Sequence, residues 1–150
     1  MLTSLPQPYA LRLEMIRAAG YSDREVISWI ENKDAPGLKE KVNPDVDWEE
    51  FLAYAHQSGE AMRKAITEGY RFKFITAGGL QSLLRIRFGL QTGEDYRFDG
   101  SRFIDIRLCA RNYELLRDGV PEQHWAFFIS HRDHTTGEVR FDIALASAAN

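Results

Sequence analysis

The sequence predicts an α+β fold in which acidic N-terminal helices pack with a small, mainly antiparallel sheet and one or two interposed helices. Apolar residues recur at three- and four-residue steps up to about residue 69, and after that they alternate with polar residues. Short glycine-containing turns separate the later segments. With 150 residues, 44% of them hydrophobic, we expect a single domain, helical over about 1–69 and sheet-rich over about 70–150.

Two helices joined by a short turn are predicted near the N-terminus. The first spans about residues 8–19 and stops at Gly20. The second begins at Ser22, whose hydroxyl caps it, and Glu25 three residues later completes a capping box. A short helical turn is expected to follow before Val42.

A third helix is predicted to follow Asp47 and to continue to about residue 66. Its apolar residues fall on one face at helical spacing: Trp48, Phe51, Leu52, Ala55, Met62 and Ile66. The three tryptophans of the chain, Trp29, Trp48 and Trp125, all fall on predicted apolar faces. We expect all three to lie in the core.

Strands are predicted after Gly69. Tyr70 to Phe74 alternates as a half-buried strand, and two hairpins are expected, over about residues 96–108 and 125–144. A helix ended by Gly89 is expected between the strand and the first hairpin, and a short helix at about residues 113–118 is expected between the two hairpins. Most strands are joined by tight turns, so the sheet is expected to be antiparallel with helices on one face.

One face of this predicted sheet collects basic side chains. The residues expected to face the core are Tyr70, Phe72, Phe74, Tyr96, Phe98, Ile104, Ile106, Val139, Phe141 and Ile143. The opposite face then carries Arg71, Lys73, Arg97, Arg107 and Arg140, with Asp99, Asp105 and Asp142 interleaved. Arginine pairs bidentately with carboxylate or phosphate. The face is either solvated and crossed by weak ion pairs, or a docking surface for an acidic partner or a nucleic-acid backbone.

A possible anion site lies where a predicted strand turns into a helix. Thr76, Gly78 and Gly79 stand at the helix start, where backbone N–H groups and the helix dipole favour an anion. Arg85 or Arg87 would assist. The alternative is that these glycines only let the strand enter a packed helix, since no lysine follows them as in a phosphate-binding loop.

Residues 20–32 resemble the turn and second helix of a helix-turn-helix. The glycine turn is followed by Val26 and Trp29, which would hold the second helix on the first. This predicts, as an alternative, a DNA-binding transcriptional regulator. The exposed positions of the second helix carry three acidic residues, Asp23, Glu25 and Glu31, and a single basic one, Arg24. This negative balance disfavours contact with phosphates.

Composition also limits which functions and cellular locations are expected for this chain. Lys and Arg total 19 and Asp and Glu total 22, which disfavours a wholly basic nucleic-acid binder and leaves a local basic patch open. Cys109 is the single cysteine and no leader or membrane segment is recognisable, which predicts a cytoplasmic protein without a membrane partner. The His131-Arg132-Asp133-His134 stretch is expected to be a polar hairpin tip, and no metal site is predicted.

No catalytic motif appears in the chain. We therefore expect a non-catalytic binding or regulatory protein that contacts a protein partner or self-associates, with no cofactor. The alternatives are the transcriptional regulator, and a small enzyme or nucleotide binder that uses Thr76–Gly79.

Overall fold

A computed structural model describes residues 2–146 of the chain. The chain forms two compact units, Met1–Arg71 and Phe72–Asn150, and the division falls two residues after Gly69. Seven helices and six strands lie in the described part. The α+β prediction is confirmed.

The N-terminal unit is built from five helices and two short strands. Its elements are β1 (Thr3–Leu5), α1 (Gln7–Ala18), α2 (Asp23–Asn32), α3 (Ala35–Lys41), α4 (Trp48–Gln57), α5 (Gly59–Glu68) and β2 (Tyr70–Phe72), whose last residue is the first of the second unit. The strands β1 and β2 form a two-stranded parallel sheet. The α2 helix packs mainly against α4 and α5.

The predicted start of α2 is confirmed in detail. The Ser22 hydroxyl accepts the Glu25 N–H at 3.3 Å, and the Glu25 carboxylate accepts the Ser22 N–H at 3.2 Å. The two side chains thus satisfy backbone donors that the helix itself leaves unpaired.

Two predictions for the helical part are wrong. The single helix expected over residues 48–66 is broken at Ser58, which leaves helical geometry and separates α4 from α5. Serine prefers helix ends and Gly59 costs about 1 kcal/mol inside a helix, which explains the break. Trp48 and Trp125 are buried as expected, but Trp29 is only half-buried.

The C-terminal unit is a four-stranded sheet with two helices. Its elements are α6 (Ala77–Phe88), β3 (Arg97–Phe98), β4 (Arg102–Cys109), α7 (Ala110–Gly119), β5 (Trp125–Arg132) and β6 (Glu138–Leu145). The strand order is β3-β4-β6-β5, antiparallel throughout, so both predicted hairpins are confirmed. The α7 helix packs on β4 and β6, with the Tyr113 ring 4.8 Å from the Phe141 ring.

A β-bulge in β4 changes which residues enter the core. Phe103 pairs with Ile143 and Ile106 pairs with Phe141, so one extra residue lies between two core positions. Phe103 and Ile106 are fully buried, whereas Ile104 turns to the other face. The prediction that Ile104 faces the core is therefore wrong.

The strand predicted from Tyr70 to Phe74 is shorter than expected. It ends at Phe72 and pairs with β1, so it does not belong to the four-stranded sheet. Phe74 is 48% exposed, which contradicts its predicted place in the core.

Candidate functional site: an arginine-rich sheet face

Cross-strand pairing collects four arginines on the face of the four-stranded sheet that is turned away from α7. Directly opposed residues of antiparallel strands point to the same face, and the core face carries Phe103, Ile106 and Phe141. The opposite face therefore carries residues that we call the arginine face: Arg97 on β3, Arg102 and Arg107 on β4, and Arg140 on β6.

One carboxylate holds the centre of the arginine face. Arg107 lies directly opposite Arg140 in the register, an arrangement of like charges that is unfavourable by itself. Asp105 lies between them, with Oδ2 3.3 Å from Arg107 Nη2. Its Oδ1 lies 3.2 Å from Arg140 Nε, as an ion pair without hydrogen-bond geometry. The single negative charge of Asp105 is therefore shared by the two guanidinium groups and balances one of their two positive charges.

A second carboxylate and an aromatic ring extend this cluster. Asp142 accepts the Asp105 N–H at 2.9 Å, and its other oxygen lies 3.6 Å from Arg102 Nη2. The Arg102 guanidinium also stands 5.6 Å from the centre of the Phe128 ring, and that residue is 39% exposed. The arginine face therefore offers an apolar contact beside its charges.

The arginine face is open to water and has an excess of positive charge. The side chains of Arg102, Arg107 and Arg140 are 41–49% exposed. Exposed ion pairs of this kind contribute about 1 kcal/mol or less, so a competing carboxylate exchanges with them at small cost. Within the described residues Arg97 has no ion pair, and the four guanidinium groups share this face with three carboxylates, those of Asp105, Asp142 and Glu138.

The structure brings together three of the five basic residues predicted for this face. Arg97, Arg107 and Arg140 lie on it, whereas Arg71 is in β2 of the two-stranded sheet and Lys73 follows that strand in a bend. The prediction also missed Arg102, because strict alternation with Ile104 would turn its side chain to the core. The unrecognised bulge accounts for that omission.

We expect Asp105→Ala to be more destabilising than Asp105→Asn. Asp105 has a φ of +64°, and Asp and Asn tolerate this left-handed conformation better than other side chains. Both variants lose the exposed ion pairs, but only alanine adds about 1–2 kcal/mol of backbone strain. Urea unfolding of the two variants measures this difference, and equal stabilities would contradict the left-handed assignment.

The turns at both ends of the arginine face are closed by aspartates. Asp99 accepts the N–H groups of Ser101 and Arg102, and Asp133 accepts those of Thr135 and Thr136. These bonds lower the pKa of each carboxyl below its ordinary value of 3.8. The expected polar hairpin tip at Asp133 is thus a hydrogen-bonded turn.

We expect the free energy of unfolding of Asp133→Asn to fall less steeply with decreasing pH than that of the native chain. A carboxyl whose folded pKa is lowered stabilises the fold above pH 3.8, and this contribution is lost as the pH falls through the folded pKa. The urea midpoint of the native chain should therefore fall more steeply than that of the variant between about pH 5 and pH 2. Parallel pH profiles would contradict a role for this carboxylate.

The predicted anion site at Thr76, Gly78 and Gly79 forms the capped start of α6 and lies far from the two arginines expected to assist it. Thr76 caps α6, and its Oγ1 accepts the Gly79 N–H at 3.0 Å, so one of the expected anion donors is already bonded. Gly78 is exposed and Gly79 is buried. Arg85 and Arg87 lie in the last turn of α6, at the opposite end from Thr76, so the idea that they assist at this turn is wrong.

A cleft of about 430 Å³ lies beside this helix start. Phe74, Thr76, His124 and Leu145 are among the residues that line it, with the Phe74 and His124 rings 5.0 Å apart. Its walls are mainly apolar. Elsewhere in the described part, no group of three or more His, Cys, Asp or Glu side chains is arranged to hold a metal ion.

The segment that resembles a helix-turn-helix does not present a basic surface. Its second helix is α2, where Glu25 and Glu31 are exposed and Glu31 pairs with Arg63 at 3.0 Å. Arg17 pairs with Asp23 at 3.0 Å, which links the two helices by an ion pair. Carboxylates at these positions oppose contact with a phosphate backbone.

Comparisons with models of protein families, with curated proteins and with solved structures give no match for this chain. In the described residues, no helix has the length and apolar character needed to cross a membrane. Any functional conclusion therefore rests on the geometry of the arginine face.

Proposed function

We propose that this chain is a non-catalytic binding protein whose arginine face docks onto an acidic protein surface. The observation that carries the proposal is the opposition of Arg107 and Arg140 around the single carboxylate of Asp105. Two guanidinium groups that share one carboxylate suit a further carboxylate from a partner, because each has N–H donors beyond the nitrogen that lies nearest Asp105. Phe128 beside Arg102 supplies an apolar contact next to the charges.

A protein partner is favoured over a nucleic acid by charge. The arginine face carries an excess of only one positive charge, and the sequence as a whole has a net charge of −3. Nucleic-acid binding needs many phosphate contacts and a clearly basic surface. A cytoplasmic location belongs to the same proposal and rests on Cys109 having no second cysteine with which to form a disulfide.

Charge reversal tests the proposal. A fluorescent glutamate-rich peptide is titrated with the native chain and with Arg107→Glu and Arg140→Glu at low ionic strength, and anisotropy reports binding. We expect each variant to lose at least about tenfold in affinity, because a repulsive carboxylate replaces a pairing guanidinium.

Arg111→Glu is the matched control, since this exposed arginine on α7 is outside the arginine face and has the same charge change. We expect it to bind the peptide like the native chain. An equal loss in the control, or no peptide binding by the native chain, would overturn the proposal. Tighter binding to duplex DNA than to the peptide would favour the transcriptional regulator instead.

A further inference from the structure

The outer edge of β5 is the longest strand edge left unpaired in the described part of the chain. β5 has eight residues and bonds only to β6, whereas the other edge strand of the sheet, β3, has two. Residues 125–129 contain no charged residue, proline or glycine, which are common protections of an edge, and the one bulge of this strand lies beyond them. Phe128 and Ile129 are 39% and 40% exposed. Such an edge is suited to pairing with another strand.

The N–H and C=O groups of successive residues in β5 point alternately toward β6 and away from it, so every second residue has backbone groups available to a further strand. Ala146 N–H donates to His124 C=O at 2.8 Å, so His124 and every second residue after it face β6. Phe127 and Ile129 therefore turn their N–H and C=O groups outward, and Trp125 turns its C=O outward.

A bulge limits the stretch that can pair. The register between β5 and β6 shifts between Ile129 and His131, which leaves Ser130 as the extra residue. The regular part of the edge is therefore residues 125–129, centred on Phe127. An antiparallel strand that pairs here has room for five residues. The same five residues of a second copy fit this length when Phe127 of one copy lies opposite Phe127 of the other, on a two-fold axis.

We propose that two copies of this chain associate through their β5 strands, antiparallel and centred on Phe127, to form one continuous sheet. In this register the Phe127 N–H donates to the Phe127 C=O of the second copy, and the Ile129 N–H donates to its Trp125 C=O. The two-fold axis repeats both bonds. Because the contact is isologous, it closes at a dimer.

Side chains at this edge complement one another in the same register. On the side of the arginine face, Ala126 stands opposite Phe128 of the second copy, so a small side chain meets a large one. The two-fold axis repeats this small-to-large contact on both sides of Phe127, and none of the five paired residues is charged, so no like charges oppose each other. This self-complementarity favours a second copy over an unrelated peptide.

Sedimentation over about 1–200 μM chain tests the association. We expect the native chain to be dimeric at the upper end, and Ile129→Pro to be monomeric, because proline removes an outward N–H and no bond to β6. Arg107→Glu should remain dimeric, since the contact uses the strand edge and not the arginine face, so this inference does not depend on the proposed function. A native chain that stays monomeric throughout would overturn the inference.

Cross-linking tests the register. In a Cys109→Ser background, the Ala126→Cys and Phe128→Cys changes together place two thiols directly opposite each other in the dimer, about 4.5 Å apart between Cα atoms. Mild oxidation should yield a covalent dimer. Either change alone places the thiols diagonally, about 7–8 Å apart, which is beyond disulfide reach. Equal cross-linking by a single variant, or none by the pair, would overturn the pairing centred on Phe127.

Discussion

Phe103→Ala is expected to lower the free energy of unfolding by about 3–5 kcal/mol. Phe103 is fully buried, and its ring lies 4.6 Å from the Phe98 ring and 5.8 Å from the Trp125 ring. Removal of the ring loses this packing and leaves a cavity that rigid strands refill only in part. Urea unfolding of the native chain and the variant measures the loss.

Ile104→Ala is the matched control for that prediction. Ile104 is the next residue along β4, but the bulge turns it to the half-exposed face opposite Arg97. We expect it to cost about 1 kcal/mol or less. If Ile104 proved the costlier of the two positions, the bulge between Phe103 and Ile106 would be wrong, and strict alternation would be right.

Trp48→Ala is expected to destabilise the N-terminal unit by about 3–5 kcal/mol. Trp48 is fully buried at the start of α4, its Nε1 donates to the Asn43 C=O at 2.8 Å, and its ring meets Phe51 edge-on at 5.8 Å. Both the packing of the ring and this part-buried hydrogen bond are lost. The loss is measured from chemical unfolding followed by far-ultraviolet circular dichroism.

Trp29→Ala provides the comparison within the same unit. Trp29 is half-buried and contacts the Tyr21 ring at 4.5 Å. Because folding removes less apolar area from water at Trp29 than at Trp48, we expect Trp29→Ala to lower the free energy of unfolding by at most about half as much as Trp48→Ala. Losses of equal size at the two tryptophans would show that Trp29 is buried as deeply as Trp48.

Local chemistry made much of the fold predictable. The capping box of Ser22 and Glu25 marks the start of α2, and the alternation of Val139, Phe141 and Ile143 marks β6. Each of these signals acts between neighbours in sequence, so it is readable without knowledge of the rest of the chain.

Features that depend on distant partners were not predictable. The bulge at Asp105 is held by contacts with Asp142 and Arg140, which lie more than thirty residues away in sequence. The pairing of β2 with β1 likewise joins the two ends of the N-terminal unit, and it separated Arg71 from the arginine face. Alternation alone therefore predicted that such a face exists but not all of its members.

Cys109 offers a practical route to observing the arginine face. It is the single cysteine of the chain and is exposed at the end of β4, two residues beyond Arg107, or about 7 Å along the strand. A maleimide dye therefore labels one known position without any engineered thiol. Emission from that dye reports on its surroundings in real time, so occupancy of the neighbouring surface becomes an optical signal.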